Sequence, residues 1–415
     1  MKEYVDRKPP GTSVAVPGIA NGICQRCLTE VPEGVYDEWG KRYCRACLTF
    51  GHVNETTLLY RQDRPLTPVL HRLVPAFPPT AEQKLAGAYV RDRIVPGGRG
   101  FVHAVCGAGK TEILYEGILH ALNTGFRVCV AIPRRDVVRE LAERLSPIFP
   151  DTSIKALYQG SRDDAGAHLL VATIHQLINY HQEFDLVVID EADAFPFRGD
   201  TFLHGIVKKA MKPDAALIEM SATPQDGKPK DAYFLPARFH RRPLDVPIVA
   251  YIDGLVATLQ NKTIPAAVHN WLRGVKPPRK AMLFVPDIAY GCLLSELLAR
   301  YGFRVTNVSS QEAAAPLRIR AFREGKVDLI VTTTLLERGV TFRDTDVAVF
   351  SAERGIFTKN VLIQMAGRVG RHPEAPTGEI RFFAEIASAD MMRAIRAVEA
   401  ANAVAHRRGL IDDDL

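Results

Sequence analysis

Apolar and polar residues alternate along the chain in two blocks, and each block predicts short buried strands separated by amphipathic helices. One such helix carries Ile113, Leu114, Ile118 and Leu122 at helical spacing. Continuous apolar strands separated by helices are typical of a parallel sheet that is buried on both faces. The strand-length apolar runs of the first block are 101–105, 128–132, 169–173, 186–190 and 216–220.

The same alternation begins again near residue 280, which predicts a second α/β domain. Residues 236–247 lie between the blocks and contain three prolines, which favours an interdomain linker. The strand-length runs of the second block are 281–285, 303–308, 328–333, 347–351 and 379–383.

The sequence therefore predicts five segments. Residues 1–20 have little apolar periodicity and many prolines and glycines, so we expect a disordered arm. Residues 21–55 hold four clustered cysteines, and residues 56–79 form a connector rich in proline and arginine. Domain 1 covers 80–240, and domain 2 covers 241–415 with a C-terminal helix.

Composition narrows the class of protein only slightly. The chain has 415 residues, 47% hydrophobic and 24% charged, which excludes wholesale disorder. Its apolar runs are far shorter than the roughly 20 residues that a membrane-spanning helix requires. The first residues lack the apolar core of a signal peptide, so we expect a cytoplasmic protein. A formal net charge of +6 permits an anionic partner.

Four of the seven cysteines form a recognisable metal-binding pattern. Cys24 and Cys27 are separated by two residues, as are Cys44 and Cys47, with sixteen residues between the pairs. This spacing predicts a tetrahedral Zn²⁺ site of structural type, in a module separate from the two domains. Two redox pairs or a disulfide staple are the alternatives. The three remaining cysteines are expected to be buried packing residues; they are Cys106, Cys129 and Cys292.

Residues 104–111 predict a phosphate-binding loop between a strand and a helix. Gly107, Ala108 and Gly109 would wrap the backbone around an anion, although Ala104 stands where the usual pattern has glycine. Lys110 is expected to reach the β- and γ-phosphates, and Thr111 to ligate Mg²⁺.

Two further motifs complete the chemistry of nucleoside triphosphate hydrolysis. Asp190 and Glu191 end a buried strand, and we expect Asp190 to hold Mg²⁺ and Glu191 to activate the attacking water. Arg368 and Arg371 are three residues apart, which would present both guanidinium groups to phosphate from one helix face. Because these arginines belong to the second domain, hydrolysis would depend on domain closure.

The ordered motifs resemble those of superfamily 2 helicases, and more narrowly the ComFA family of late-competence DNA-uptake ATPases. The resemblance covers roughly residues 21–385. It rests on Gln83, 105–118, 172–177, 190–197, 221–223, 238–247, 333–342 and 364–371. It implies two RecA-like domains that follow the four-cysteine module. Gln364 and Met365 replace the His-Arg pair of DEAD-box RNA helicases, so the letters DEAD at 190–193 do not indicate RNA.

The resemblance also implies roles for individual residues. Gln83 would contact adenine, Gly339 and Gln364 would lie at the nucleotide, and Arg368 and Arg371 would approach the γ-phosphate. The run Ser221, Ala222 and Thr223 would couple nucleotide and DNA. Residues expected near the DNA backbone are Pro133, Arg134, Arg135, Thr173, His175 and Thr333.

The implied activity is ATP-dependent translocation on single-stranded DNA during uptake of transforming DNA. The implied partners are single-stranded DNA, a membrane uptake channel and other late-competence proteins, so the protein would lie at the cytosolic face of the membrane. ATP, Mg²⁺ and Zn²⁺ are the expected cofactors. A primosomal-type duplex-unwinding helicase and a non-motor, zinc-dependent DNA-binding scaffold are the alternatives.

Two surfaces leave their function open. Tyr36, Trp39 and Tyr43 interleave with three cations in the cysteine module, and they would either stack on bases or form the core of the module. The basic run in the predicted linker is either a strip that faces DNA or a solvated part of the linker. It consists of Arg238, His240, Arg241 and Arg242.

Overall fold

The computed structural model describes residues 1–161, 164–194, 196–223, 229–309, 312, 314–337 and 342–412. The chain divides into two compact units. The first comprises Met1–His103, Lys110–Ser221 and Gln225–Tyr233, and the second comprises Ala104–Gly109, Ala222–Pro224 and Phe234–Leu415. Each unit is built on a largely parallel sheet, which confirms the predicted fold class.

The N-terminal residues form β-structure. Strand β5 is the middle of an antiparallel sheet of order β1-β5-β2, and β3 pairs with β4. The prediction of a disordered arm over residues 1–20 is therefore wrong. The local sequence does not reveal strands β1 and β2, because their partner strand lies far along the chain. The strands are β1 (Lys2–Val5), β2 (Val14–Pro17), β3 (Ile19–Ala20), β4 (Ile23–Cys24) and β5 (Leu58–Gln62), and a 3₁₀ helix covers Arg45–Phe50.

The main sheet of the first unit has the order β12-β6-β11-β10-β7-β9-β8 in the part of the chain that the structure describes. Strands β6 to β11 pair in parallel, and β7 and β9 are buried at every position. The strands are β6 (Arg99–Ala104), β7 (Val128–Ile132), β8 (Ile154–Leu157), β9 (Leu169–Thr173), β10 (Phe184–Ile189), β11 (Met211–Ser221) and β12 (Tyr233–Leu235). The helices are α1 (Ala81–Arg91), α2 (Lys110–Asn123), α3 (Arg135–Leu145) and α4 (Thr201–Ala210), with a 3₁₀ helix at Ile174–Asn179.

The cysteine segment belongs to the core of the first unit. Its four cysteines share one hydrophobic cluster with Leu177, Phe184 and Phe197. A buried ion pair attaches strand β1 to the same unit, because Lys209 Nζ lies 2.7 Å from Glu3 Oε1 and also donates to the Ile178 carbonyl at 2.7 Å. Burial lowers the pKa of Lys209, and the charge of Glu3 opposes that shift. The predicted separate module is thus part of the first unit, since so short a segment buries little apolar surface alone.

The predicted connector is anchored to the same unit. Its first residues form β5, and the His71 amide donates to Asn123 Oδ1 at 2.9 Å. The Val74 amide donates to the Ile148 carbonyl at 2.8 Å, so backbone groups hold this stretch in place.

The second unit contains a parallel sheet of order β13-β18-β17-β14-β16-β15 within the described ranges. Met282 and Phe284 of β14 join one hydrophobic cluster and Leu283 joins another, so both faces of the sheet are covered.

Cys292 is exposed, which corrects its prediction as a buried residue, whereas Cys106 and Cys129 are buried.

The second-unit strands are β13 (Ile248–Tyr251), β14 (Lys280–Phe284), β15 (Val305–Val308), β16 (Leu329–Thr332), β17 (Thr345–Phe350) and β18 (Ile380–Ala384). The helices are α5 (Leu255–Gln260), α6 (Ala266–Gly274), α7 (Ile288–Arg300), α8 (Ala315–Arg323), α9 (Lys359–Ala366) and α10 (Ala389–Arg407), with a 3₁₀ helix at Thr334–Leu336. Among the described residues, no helix combines the length and apolar character needed to cross a bilayer.

Candidate nucleotide-binding and metal sites

The loop after β6 has the backbone conformation that a phosphate loop requires. Gly107 and Gly109 have φ values of 83° and 81°, which side chains with a Cβ rarely adopt. The Ala108 amide donates to the Val105 carbonyl at 3.1 Å and tightens the turn. Helix α2 then begins at Lys110, with Thr111 in its first turn, so the amide groups of a helix N-terminus follow the loop directly.

Asp190 and Glu191 follow β10 in a strained and electrostatically unusual setting. Desolvation raises the pKa of the Asp190 carboxyl to about 6, and the positive charge of Lys110 opposes this shift. The Glu191 amide donates to Asp190 Oδ1 at 2.8 Å, and Glu191 has a φ of 57°. Non-glycine residues in that conformation are often found at functional sites. A carboxylate of this kind suits Mg²⁺, which prefers oxygen ligands and would favour the ionised form.

The strand order brings the predicted coupling residues to the same sheet edge. Strand β11 lies between β6 and β10, and its last residue, Ser221, pairs in register with His103. Ser221 and Thr223 are fully buried, and Ala222 is 4% exposed. Because the carboxyl ends of parallel strands meet at one edge, Ser221 at the end of β11 and Asp190 directly after β10 lie at the same edge. Their coupling role stays a prediction.

Gln83 lies in the first turn of helix α1, where it is part of a capping box. The Thr80 amide donates to Gln83 Oε1 at 2.9 Å, and the Gln83 amide donates to Thr80 Oγ1 at 3.2 Å. Gln83 is 6% exposed. Its carbonyl oxygen therefore stabilises the helix start, and the adenine contact stays a prediction.

Most of the predicted DNA-contacting residues follow neighbouring strands of the first sheet. Residues 133–135 come directly after β7, and Thr173 ends β9, where it pairs with Ile132. The His175 ring stacks on Phe50 at 5.8 Å between centroids, and burial lowers its pKa. This stacking joins His175 to the cysteine segment. Thr333 follows β16 in the second unit.

The arginine motif of the second unit lies in a turn. Helix α9 ends at Ala366, so the prediction that both arginines share one helix face is wrong, because Gly367 terminates the helix. Arg368 is 2% exposed and its Nε donates to the Glu337 carbonyl at 3.0 Å, while Arg371 Nε donates to the Gly367 carbonyl at 2.5 Å. Gly339 lies outside the described residues.

Cys106 has a polar contact that the sequence does not predict. Its Sγ lies 3.5 Å from Oε1 of Gln364, which is 4% exposed, and both residues belong to the second compact unit. The local sequence carries no signal for this contact, because a cysteine in a glycine-rich loop resembles any small packing residue.

The four clustered cysteines have the geometry of a tetrahedral metal site. Their Sγ atoms all lie within 4.8 Å of one another, with 3.8 Å between Cys24 and Cys47 and 3.5 Å between Cys27 and Cys44. Tetrahedral Zn²⁺ with bonds of about 2.3 Å separates its sulfur ligands by about 3.8 Å. Hydrogen bonding among the sulfurs lowers the pKa of Cys27 and Cys44 and raises that of Cys24 and Cys47. The cluster thus fits zinc, which would favour all four thiolates.

Two of the three aromatic residues that interleave with cations, Tyr36 and Trp39, lie outside the core of this segment. Tyr36 is 57% exposed and Trp39 is 68% exposed. Asp37 Oδ1 accepts hydrogen bonds from the amides of Trp39 and Lys41, at 3.0 and 2.9 Å, which fixes the loop that carries them. The core hypothesis is therefore wrong for Tyr36 and Trp39.

Comparisons with known proteins agree with this geometry. Residues 77–226 match the family model described as type III restriction enzyme, res subunit, and residues 264–373 match the helicase conserved C-terminal domain. Yeast (S. cerevisiae) Dbp5 bound to RNA and ADP BeF3 superposes with a TM-score of 0.59 and 18% identity, covering 78% of this chain and 87% of Dbp5. The two family matches, together with the two parallel sheets, identify an ATP-hydrolysing superfamily 2 helicase.

Curated relatives narrow that class further. The chain is 38% identical to competence protein ComFA of Bacillus subtilis (strain 168), over 83% of this chain and 76% of that protein. It is 34% identical to competence protein ComFA of Streptococcus pneumoniae (strain ATCC BAA-255 / R6), over 92% of this chain and 90% of that protein. The chain belongs to the ComFA family.

Proposed function

We propose that the protein is an ATP-dependent translocase on single-stranded DNA that serves the uptake of transforming DNA during natural competence. One observation carries this proposal. A single sheet edge carries Lys110 and the desolvated Asp190, and the same edge carries Thr173 at the end of β9, which is separated from β10 by β7. Membership of a family whose curated members are named competence proteins supports the biological role.

The residues suggest a division of labour during hydrolysis. Lys110 binds the β- and γ-phosphates, and Thr111 and Asp190 hold Mg²⁺, which neutralises charge on the phosphates when bound. Glu191 accepts a proton from the attacking water. Arg368 and Arg371 stabilise charge that develops on the transferred phosphate.

Zn²⁺ in the cysteine cluster has a structural role in this proposal. Four thiolate ligands leave no open position for a reacting molecule, and the cluster lies in the core of the first unit. The protein would act at the cytosolic face of the membrane, beside a DNA-uptake channel and other late-competence proteins.

The test is the rate of ATP hydrolysis with single-stranded DNA, duplex DNA or RNA. We expect single-stranded DNA to stimulate the rate at least about tenfold, and Lys110→Ala to remove the stimulated activity. Robust unwinding of blunt duplex would favour a primosomal-type helicase instead. An absence of hydrolysis with every nucleic acid would favour a zinc-dependent scaffold and contradict the proposal.

A further inference from the structure

The basic residues of the predicted linker differ in their exposure to solvent. Arg238 is 3% exposed, whereas the Arg241 side chain is half exposed and its Nε lies 2.7 Å from Asp412 Oδ1. The hypothesis of a strip that faces DNA is therefore wrong for Arg238. A buried arginine has to be matched by acceptors, so its surroundings indicate what the linker does.

Main-chain carbonyls beside the arginine motif surround the Arg238 guanidinium. Its Nη2 donates to the Val369 carbonyl at 2.9 Å, and its Nη1 donates to the Pro376 carbonyl at 3.2 Å and to Asp245 Oδ2 at 3.1 Å. Asp245 Oδ1 in turn accepts the Gly378 amide at 3.1 Å. The rigid fork of the guanidinium thus holds both ends of the chain segment that follows α9.

Gly370, between the two arginines of the motif, is held from two sides. Its φ is 63°, and a Cβ there would collide with Arg238 Nη1 and with the Pro376 carbonyl. On the other side, His240 Nε2 donates to the Gly370 carbonyl at 2.9 Å. His240 Nδ1 accepts the Arg242 amide at 3.3 Å, which requires the neutral imidazole with its proton on Nε2.

The same linker residues also contact the phosphate loop. The Phe239 amide donates to the Gly107 carbonyl at 3.2 Å. Arg238 Cγ lies 3.3 Å from the position that a Cβ of Gly107 would occupy, so its carbon chain packs on the loop. All of these residues belong to the second compact unit. Three consecutive residues, 238–240, therefore hold the phosphate loop and the arginine turn together.

We propose that Arg238 and His240 are positioning residues for ATP hydrolysis. They act through the backbone, because both bind main-chain carbonyls of the turn at residues 367–371 on which Arg368 and Arg371 lie. Arg238 also packs on Gly107, and the Phe239 amide between the two residues binds the Gly107 carbonyl. This inference rests on the proposed ATPase function. Small displacements of groups that stabilise a transition state cost large factors in rate, whereas ground-state binding is affected less.

The test is steady-state ATP hydrolysis by four variants of the full-length protein. His240→Phe keeps a ring but removes the Nε2 donor, and His240→Gln restores a donor. Arg238→Lys keeps the charge but loses the fork, and Arg241→Gln is the matched control from the same basic run. We expect kcat to fall about tenfold in His240→Phe and about 100-fold in Arg238→Lys, with KM for ATP changed less than about twofold.

The expected rescue separates positioning from general destabilisation. His240→Gln should recover most of kcat, Arg241→Gln should match the wild type, and the unfolding temperature of His240→Phe should change by less than about 3 °C. Wild-type kcat in His240→Phe would overturn the inference. It would also be overturned if His240→Gln were as slow as His240→Phe, or if kcat, ATP affinity and unfolding temperature fell together.

A separate result concerns the proposed function alone. If the wild type hydrolysed ATP without stimulation by DNA, the translocase proposal would fail, while the variants would still test positioning through basal hydrolysis. A wild type that does not hydrolyse ATP at all would overturn both.

Discussion

The two units share a parallel-sheet architecture but differ in the functional side chains that they carry. The carboxyl edge of the first sheet holds a lysine and two carboxylates, at Lys110, Asp190 and Glu191. The second unit supplies Arg368 and Arg371 from a turn after α9. The comparison shows that the sheet fixes where functional groups are displayed, whereas the residues after each strand or helix decide what they do.

The two units also differ in how their cores are completed. The first unit incorporates the four cysteines and the buried Glu3–Lys209 pair. The second unit is closed on both sheet faces by its own helices. Dependence on a metal should therefore be confined to the first unit.

The largest expected effect tests the carboxylates that the first sheet carries. Glu191→Gln should lower kcat for ATP by about 100-fold or more, because the amide cannot accept a proton from water. ATP affinity, measured by equilibrium titration, should stay within about twofold of the wild type. Glu116→Gln, at an exposed position of α2, is the control. Normal turnover in Glu191→Gln would exclude this residue as the base.

An intermediate effect concerns the metal. Cys24→Ser should lose bound zinc and cost at least about 3 kcal/mol of stability, which lowers the unfolding temperature of the first unit by roughly 6–12 °C. Because the cysteines lie in the core of that unit, ATPase activity should fall as well. Zinc content and calorimetry measure both effects, with Cys292→Ser as the exposed-thiol control. Unchanged zinc content would contradict the four-cysteine site.

The smallest expected effect is a loss of stability at acidic pH, which we expect from His181 in the first unit. Desolvation, followed by the charge of Arg61, lowers the pKa of His181 from 6.5 to about 4. Between these values the unfolded state binds more protons, so stability falls as pH decreases from 6.5 towards 4. Chemical denaturation should show wild-type protein losing about 1–2 kcal/mol more than His181→Asn between pH 7 and 5. Equal losses of stability in the wild type and in His181→Asn would show that His181 does not cause the acid sensitivity.

The interior strands of both sheets could be predicted from sequence, as could edge strand β15, whereas edge strands β8, β12 and β13 could not. Strands β7 and β9 match their apolar runs residue for residue, because burial on both faces makes the whole strand apolar. Edge strands β8 and β13 are only partly buried, so they leave no clear periodicity. Strands β1 and β2 depend on β5, and a pattern read locally cannot reveal a distant partner.

The candidate site divides in the same way. Lys110, Asp190 and the four cysteines were predictable because their chemistry requires particular residues at short spacing. The contacts of Arg238 were not predictable, since its acceptors include the main-chain carbonyls of Val369 and Pro376, and carbonyls are the same at every residue. The contacts of His240 with Gly370 and of Phe239 with Gly107 are hidden for the same reason.

The strand order β1-β5-β2 has a consequence for how the chain folds during its synthesis. Residues 2–5 are synthesised before Leu58–Gln62, so they have no strand partner until that later segment has been made. Glu3 cannot form its ion pair until Lys209 has been synthesised, about 200 residues later. Strand β1 therefore reaches its final contacts only after much of the first unit has been made, and until then its residues are accessible to proteases and chaperones.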